Sequence, residues 1–444
     1  MNTPPLKIAI VGSGISGLAA AHALKGRANI TLFEAGSYFG GHTHTVDVTL
    51  PTTNGPSSTL VTHGIDTGFL VFNERTYPNL IKLLAELDVE TAQSDMSFSV
   101  QVPRPHSLKG ALEWSGSNLN TVFAQRSNLL SPKFWRMLRD LLRFNTLATQ
   151  LATTGAEAAL MQPLEDFLYE HDFSTEFRDW YLLPMLGCIW SCPTDQMLKF
   201  PVATMIRFCH NHGLIQVSNR PQWWTVSGGA KHYVDKIVAN ITDKRLNTPV
   251  HCIARDSAGI QIVTKERSER FDKVIIATHS DQALALLQHP SRAESAALSA
   301  ISYQANTAVL HTDASVLPKR KAAWAAWNYE RVQTDAYKPD TASVCLHYLI
   351  NQLQPVPFEQ PVIVSLNPAK PINPAHVLGT FDYAHPVFDL SAIKAQASIP
   401  ALQGKANTYY CGAWMGYGFH EDGLKAGLGV ADLLLAEMDW KAAA

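Results

Sequence analysis

Nowhere does this sequence hold an apolar run near the ~20 residues that a membrane-crossing helix requires, so no span is expected. Its first stretch, MNTPPLKIAIVGSG, has one lysine, no long apolar core and no small-residue cleavage site, so a signal peptide is not expected either. Charge is scarce: 17% of residues are charged and the net charge is −2, which leaves no basic surplus for phosphates and argues against nucleic acid as a partner. Cysteine is also sparse. The six cysteines, at 188, 192, 209, 252, 345 and 411, form no short-range framework. Cys188 and Cys192 have no second pair or histidine at metal-ligand spacing, so no metal is expected, and reduced, buried thiols of a cytoplasmic protein are the simpler reading. Internal repeats and low-complexity tracts are absent.

What is present is globular: 444 residues, 46% of them apolar, enough for two or three domains. KIAIVG (7–12) reads as a buried parallel strand. It runs into Gly12-Ser13-Gly14-Ile15-Ser16-Gly17, then the helix former LAAAHAL, then a second strand, NITLFE (29–34). This is GxGxxG in strand–helix–strand context. Gly12 permits a tight turn, Gly14 lets backbone approach a pyrophosphate, and Gly17 lets helix and strand pack closely. The helix N-terminus offers free N–H groups and positive dipole to phosphates. Glu34, ending the second strand beside Ala35, stands where a carboxylate grips ribose hydroxyls. A glycine-rich turn without a ligand is the competing reading, and the βαβ context argues against it.

GGHTHT (40–45) follows Glu34, and then THGIDTGFLVFNERTYPNLIKLLAELDVET (62–91). Here the chain resembles the flavin amine oxidase and phytoene desaturase superfamily, with its glutamate, glycine pair, basic residue, x-x-T, and strand with an Asp-x-Gly turn. The matching residues are Glu34, Gly40, Gly41, His42, Thr45, Asp66 and Gly68. Amine oxidases usually carry arginine at His42 and often an aromatic residue at His44. The resemblance implies non-covalent FAD, with Thr43, Thr67 and Phe69 joining the cofactor-binding loops, and places His42 where a cation would face the flavin. There the imidazole either contacts the flavin or tunes its charge, titrating near neutrality, or it holds the loop as His44 is expected to do.

Two later stretches follow the same order. TPVHCIARDSAGIQIVTKERSERFDKVIIATHSD (248–281) looks like the family's β-ribbon and return strand. The resemblance implies that Val250 binds adenine through its backbone, and Thr278 ends the strand at the edge where ligands collect. TVSGGAKHYVDKIVANI (225–241) enters a helix from a Gly-Gly turn. NTYYCGAWMGYGFHEDGLKAGLGVADLLLAEM (407–438) reads as a strand ending at Gly412, a glycine-rich loop and an acid-led helix. Small residues (Gly423, Ala426, Gly427, Gly429) would let that helix pack closely. By the resemblance Phe419 lines the flavin ring, and His420, Glu421 and Asp422 surround its pyrimidine edge and ribityl chain. Ala413 and Trp414 stand where the family often has an acid. A helix cap is the alternative account of these acids, and is compatible with cofactor contact.

The expected architecture is α/β: a Rossmann-like FAD-binding domain (parallel sheet plus β-ribbon) with a discontinuous α+β substrate domain. Residues 1–79, 226–289 and 405–444 would build the former; 80–225, largely helical, and 290–404, mainly strands, the latter. SPKFWRMLRDLLRFNTLATQLA (131–152) is helical by period, with positions 134, 138, 141, 142 and 148 on one side and Lys133, Arg136, Arg139 and Arg143 opposite. Such a helix can lie on an anionic membrane or can be an ordinary domain helix with a solvated basic face. RPQWWTV (220–226), YLLPMLGCIW (181–190) and AAWAAWNY (322–329) can line a greasy channel or fill a core. YKPDTAS (337–343) and NPAKPINPAH (367–376) read as loops.

Flavin carries the chemistry and the protein positions a bond against it. Amine oxidases of the family hold a lysine in the stretch matching YQANTAVLHTD (303–313), where this chain has none and Thr307 falls nearest. GGHTHTV, DTGFLVFNERTYPNL, AAWAAWNY and GFHEDGL are more closely similar to a bacterial FAD-binding, amine-oxidase-like family associated with cyclopropane-fatty-acid-synthase-like methyltransferases. The resemblance implies hydride abstraction from an unsaturated fatty acyl chain, by desaturation or double-bond isomerisation, with His420, Glu421 or His42 taking the proton. An atypical amine oxidase and a non-catalytic flavin- or lipid-binding module remain open. The expected location is cytoplasmic, with peripheral contact at the inner membrane face as the further option.

Overall fold

The structure, a computed structural model, describes residues 5–53, 58–103, 110–156, 160–191, 193–216, 220–331 and 344–443. Cys192 and the YKPDTAS stretch lie outside the described residues. The first strand, Lys7–Val11, is buried from Ile8 onward and forms the middle of a five-stranded parallel sheet. Across the sheet the order is Asp243–Arg245, Asn29–Phe33, Lys7–Val11, Lys273–Ile276 and Thr408–Tyr410. Three stretches far apart in sequence therefore meet in one layer, and all four pairings are parallel.

Helix Ile15–Ala23 covers this sheet, and the C-terminal helix His420–Ala443 packs against it. Small residues make that contact possible. A Cβ on Gly427 would stand 2.1 Å from the Ser16 carbonyl oxygen, and one on Gly423 2.7 Å from the Ile15 side chain. Gly429 meets nothing within 4 Å, so it has no part in the close packing expected of it. The ribbon after Thr248 has three antiparallel strands, Val250–Asp256, Gly259–Thr264 and Ser268–Phe271.

A second, seven-stranded sheet runs Val377–Pro386, Tyr303–His311, Ile363–Leu366, Val344–Leu349, Trp327–Arg331, Phe98–Val102, Leu112–Ser115. Chain from before residue 225 and from after 290 joins in it, through the parallel pairing of Trp327–Arg331 with Phe98–Val102. One continuous apolar core links the parallel sheet, the helical layer and this sheet, with a second cluster beneath the ribbon.

Helix Pro132–Thr154 starts at the Ser131 cap, whose hydroxyl accepts the Phe134 N–H. Its buried stripe is Phe134, Met137, Asp140, Phe144, Asn145 and Ala148, whereas Leu142, placed inside by the sequence, is 56% exposed. The wheel drifts over so long a helix, and neighbouring chain decides which edge is covered. The basic row has partners within the chain. Lys133 and Arg136 approach Glu176 at 3.8 and 3.5 Å, Arg139 reaches Asp140 at 3.1 Å, and Arg143 donates to the His171 and Asp172 carbonyls. No helix among the described residues is long and apolar enough to cross a membrane.

Candidate active site

Gly12 turns with φ +102°, where a Cβ would stand 2.7 Å from the Ala277 carbonyl oxygen on the adjoining strand. A Cβ on Gly17 would lie 2.0 Å from the Gly12 oxygen, so Gly17 holds helix to strand and does not line the cavity. Gly14 differs: its Cβ would meet nothing within 4 Å. Glu34 fastens this loop from below, its carboxylate accepting from the Ser13 N–H at 3.0 Å and hydroxyl at 2.5 Å and from the Gly36 N–H at 2.8 Å. Four lone-pair sites on a carboxylate leave room for a ribose hydroxyl as well. The second glycine pair docks on the first. Gly40 bridges Gly14 and donates its N–H to the Ser13 carbonyl at 3.1 Å, and a Cβ on Gly41 would press on the Gly14 backbone at 3.1 Å.

These loops open into a cavity of about 700 Å³. Gly12, Ser13, Gly14, Ile15, Ser16, Glu34, Ala35, Gly40, Gly41, His42, Thr67, Gly68 and Phe69 line it from the N-terminal stretch. Val250 and Thr278 line it from the ribbon and return strand, and Gly412, Ala413, Phe419 and His420 from the C-terminal loop. Thr248 donates its N–H to the Glu34 carbonyl, which brings Val250 to the same end as Glu34.

Four other residues expected at the site are turned elsewhere. Thr43 is buried with its hydroxyl 2.5 Å from the Tyr233 hydroxyl. Asp66 accepts from Thr45, from the Ala230 N–H and from Gln354, and so ties three segments together; burial pushes its carboxyl up to about 7, opposed by those donors. Asp422 accepts the Tyr417 and Phe419 N–H groups, both at 3.0 Å, and shapes the loop before its helix; burial pushes it up to about 6. Glu421 takes the Asn79 N–H and side-chain amide on one oxygen and the Leu80 N–H on the other. It caps helix Pro78–Glu86 and does not face the cavity, which corrects its reading as a base.

The imidazoles of His42, His279, His385 and His420 all line the cavity. The His420 ring stacks on Phe69 with centroids 3.8 Å apart, and its Nε2 lies 2.7 Å from the Tyr233 hydroxyl; burial lowers it to about 3. His42 lies 5.0 Å from Tyr383, 5.4 Å from His385 and 6.1 Å from His279 between ring centroids. Its Nε2 is buried with no partner. Burial first, and then the neighbouring His385, His279 and His420, hold it well below the usual imidazole range. His385 accepts from Asn306 on Nδ1 and is lowered to about 4 by burial and by His279. His44, bonded to Thr67 and Tyr383 and stacked on Tyr38, holds the loop.

His279, Tyr303, Tyr383 and His385 line the cavity, although sequence reasoning did not single them out. Two signals were available. His279 directly follows Thr278, and FDYAHP alternates so that Phe381, Tyr383 and His385 share one strand face. Thr307 donates to Asp382 at 3.2 Å and does not line the cavity. Much of the remaining wall is apolar, with Met96, Ile189, Trp190, Leu214, Trp327 and Leu366 in it, and Ser191, His212, Thr248 and Gln282 add polar groups. Among the described residues Glu34 is the one carboxylate in the lining, and no lysine or arginine joins it.

The flavin containing amine oxidoreductase family matches residues 15–360. The chain belongs to that family. No curated protein sequence matches it. Among solved structures it is similar to the CLA-producing fatty acid isomerase from P. acnes, at 15% identity over 98% of this chain and 99% of that one, TM-score 0.63. Cyclohexylamine oxidase from Brevibacterium oxydans IH-35A gives 15% identity over 98% and 100%, TM-score 0.65. An oxidoreductase from Methanosarcina mazei gives 15% over 97% and 100%, TM-score 0.60. At these identities the likeness shows the shared fold. The chain is an FAD-dependent oxidoreductase. The site fits the cofactor, because a Cβ on Gly14 would meet no protein atom within 4 Å, which leaves the space over the turn open.

Proposed function

We propose that this oxidoreductase takes hydride from an allylic C–H of an unsaturated acyl chain, with desaturation or double-bond isomerisation as the outcome. The observation that carries this reading is the largely apolar wall that includes Met96, Trp327 and Leu366; the one carboxylate lining the cavity among the described residues, Glu34, is committed to Ser13 and Gly36. Burial of a methylene against such a wall is worth ~0.8 kcal/mol, so an acyl chain supplies its own binding energy while a charged group would lose hydration without a partner. The similar fold of a fatty acid isomerase supports the same chemistry.

FAD, when bound, accepts the hydride. The chain's own residues exclude water from the reacting bond and hold the proton. His42 is the acceptor in this reading: its ring lines the cavity, its buried Nε2 has no hydrogen-bond partner, and burial holds it well below the usual imidazole range. His420 has its Nε2 committed to Tyr233 and serves instead to fix Phe69.

Aromatic rings favour a second reading, amine oxidation. Phe419 stacks on Phe208 with centroids 4.7 Å apart, and such faces can hold an amine. Anaerobic mixing of the yellow protein with monounsaturated acyl lipids and, separately, with amines tests both. Flavin bleaching by the lipid is expected. Bleaching by amines alone would replace the first reading with the second, and no bleaching by either class would leave a binding protein.

A further inference from the structure

One face of the seven-stranded sheet gives Trp327, Tyr348 and Leu366 to the cavity. The opposite face carries chemistry that the flavin site does not use. Glu330 is the cross-strand partner of Cys345, and His347 follows two residues along, so all three project on that side. His347 Nε2 lies 3.2 Å from a Glu330 oxygen and 3.4 Å from Cys345 Sγ, and the three donor atoms are all within 4.8 Å of one another. Cys345 and His347 are 0% and 1% exposed, while the Glu330 side chain keeps 18%.

Thiolate, imidazole and carboxylate are the zinc donors. With bonds of about 2.3 Å to sulfur and about 2.0–2.2 Å to nitrogen and oxygen, tetrahedral angles set edges of about 3.3 Å for N···O and about 3.5 Å for N···S. The two spacings to His347 Nε2, 3.2 and 3.4 Å, match those edges, and the Glu330 oxygen lies within 4.8 Å of Cys345 Sγ. A charge-assisted hydrogen bond between the same groups closes further, to about 2.7–2.9 Å. The ring is also held from behind, as metal-binding histidines are. His347 Nδ1 lies 2.6 Å from the Ser365 hydroxyl, which lies 2.7 Å from His311 Nε2, and His311 Nδ1 accepts the Asp313 N–H.

We propose that Glu330, Cys345 and His347 bind a zinc ion, with water in the fourth position on the exposed Glu330 side. The site is separate from the flavin cavity and clamps strand Trp327–Arg331 to strand Val344–Leu349. Those strands present Trp327 and Tyr348, edge to face at 4.9 Å, to the cavity on their other side. Binding displaces the thiol proton to solvent and oxidises nothing.

The test uses the full-length flavin-loaded protein from zinc-supplemented growth, desalted and analysed for metal. Zinc equimolar with the chain is expected. After chelation, cobalt(II) should restore tetrahedral visible bands on the long-wavelength side of flavin absorption. Cys345→Ser and His347→Gln should lose them, while flavin content stays the same. If these variants do not fold, the wild type decides alone: added zinc should raise its Tm and a chelator should reverse the rise. Wild-type protein that takes up neither metal, or a Cys345→Ser variant with an unchanged cobalt spectrum, overturns the site.

Discussion

Gly12, Gly14 and Gly17 stand in one motif yet meet different surroundings. Cβ atoms on Gly12 and Gly17 would collide with protein backbone, whereas one on Gly14 would meet no protein atom within 4 Å and would point into space left for a cofactor. Gly14→Ala should therefore fold with an unchanged apoprotein Tm and lose FAD affinity at least ~10-fold, or ~1.4 kcal/mol, in a flavin titration. Gly17→Val should fail to accumulate as soluble protein. His42→Gln removes the free imidazole nitrogen while keeping a polar side chain in place. Flavin reduction by the acyl substrate should slow ~10²-fold or more with flavin content unchanged, the scale of a lost proton acceptor; an unaltered single-turnover rate would remove His42 from that role. The motif glycines, Glu34 and the GGH stretch were legible because local spacing dictates them. His279 and His385 were harder to see, since their importance comes from distant segments placing four rings together.

Glu421 acts on helix Pro78–Glu86, two of whose first N–H groups would otherwise be orphaned. Glu421→Ala should cost ~1–3 kcal/mol, read as a lower Tm, while the rate per bound flavin holds. A rate loss without destabilisation would return it to the chemistry. Helix Pro132–Thr154 was legible in extent, but its partners were not. Arg136→Glu places a second negative charge beside Glu176, itself 7% exposed, so thermal stability should fall. Sequence showed a basic row with Asp140 beside it, and only tertiary contact brought Glu176 to Lys133 and Arg136.

At the scale of the molecule, buried neutral imidazoles make the cavity sensitive to acid. His385 and His212, which lines the cavity and is bonded to the Phe208 carbonyl, are lowered to about 4 and His420 to about 3, each chiefly by burial. In the unfolded chain they titrate near ~6.5. A lowered histidine contributes stability that is fully present above ~6.5 and lost as pH falls through the folded value, at roughly 1.4 kcal/mol for each unit of lowering. Tm and flavin retention should fall together between pH ~6.5 and ~4, and His385→Gln should flatten that profile. The same whole-molecule view explains the cofactor site. Strands from three separated stretches share the parallel sheet, so no fragment of the chain holds the complete cradle.

The amino-acid sequence by itself determined the dinucleotide loop and the α/β class, because turn geometry, hydrophobic period and residue spacing act over a few neighbouring positions; the flavin came from the resemblance of its motifs to a known family. Tertiary structure alone decided which carboxylates cap and which face the cavity. It also decided how four imidazoles lose their protons to burial, and how a glutamate on one strand meets a cysteine and a histidine on the next. Those properties depend on dielectric surroundings and cross-strand register, which are set by residues hundreds of positions apart.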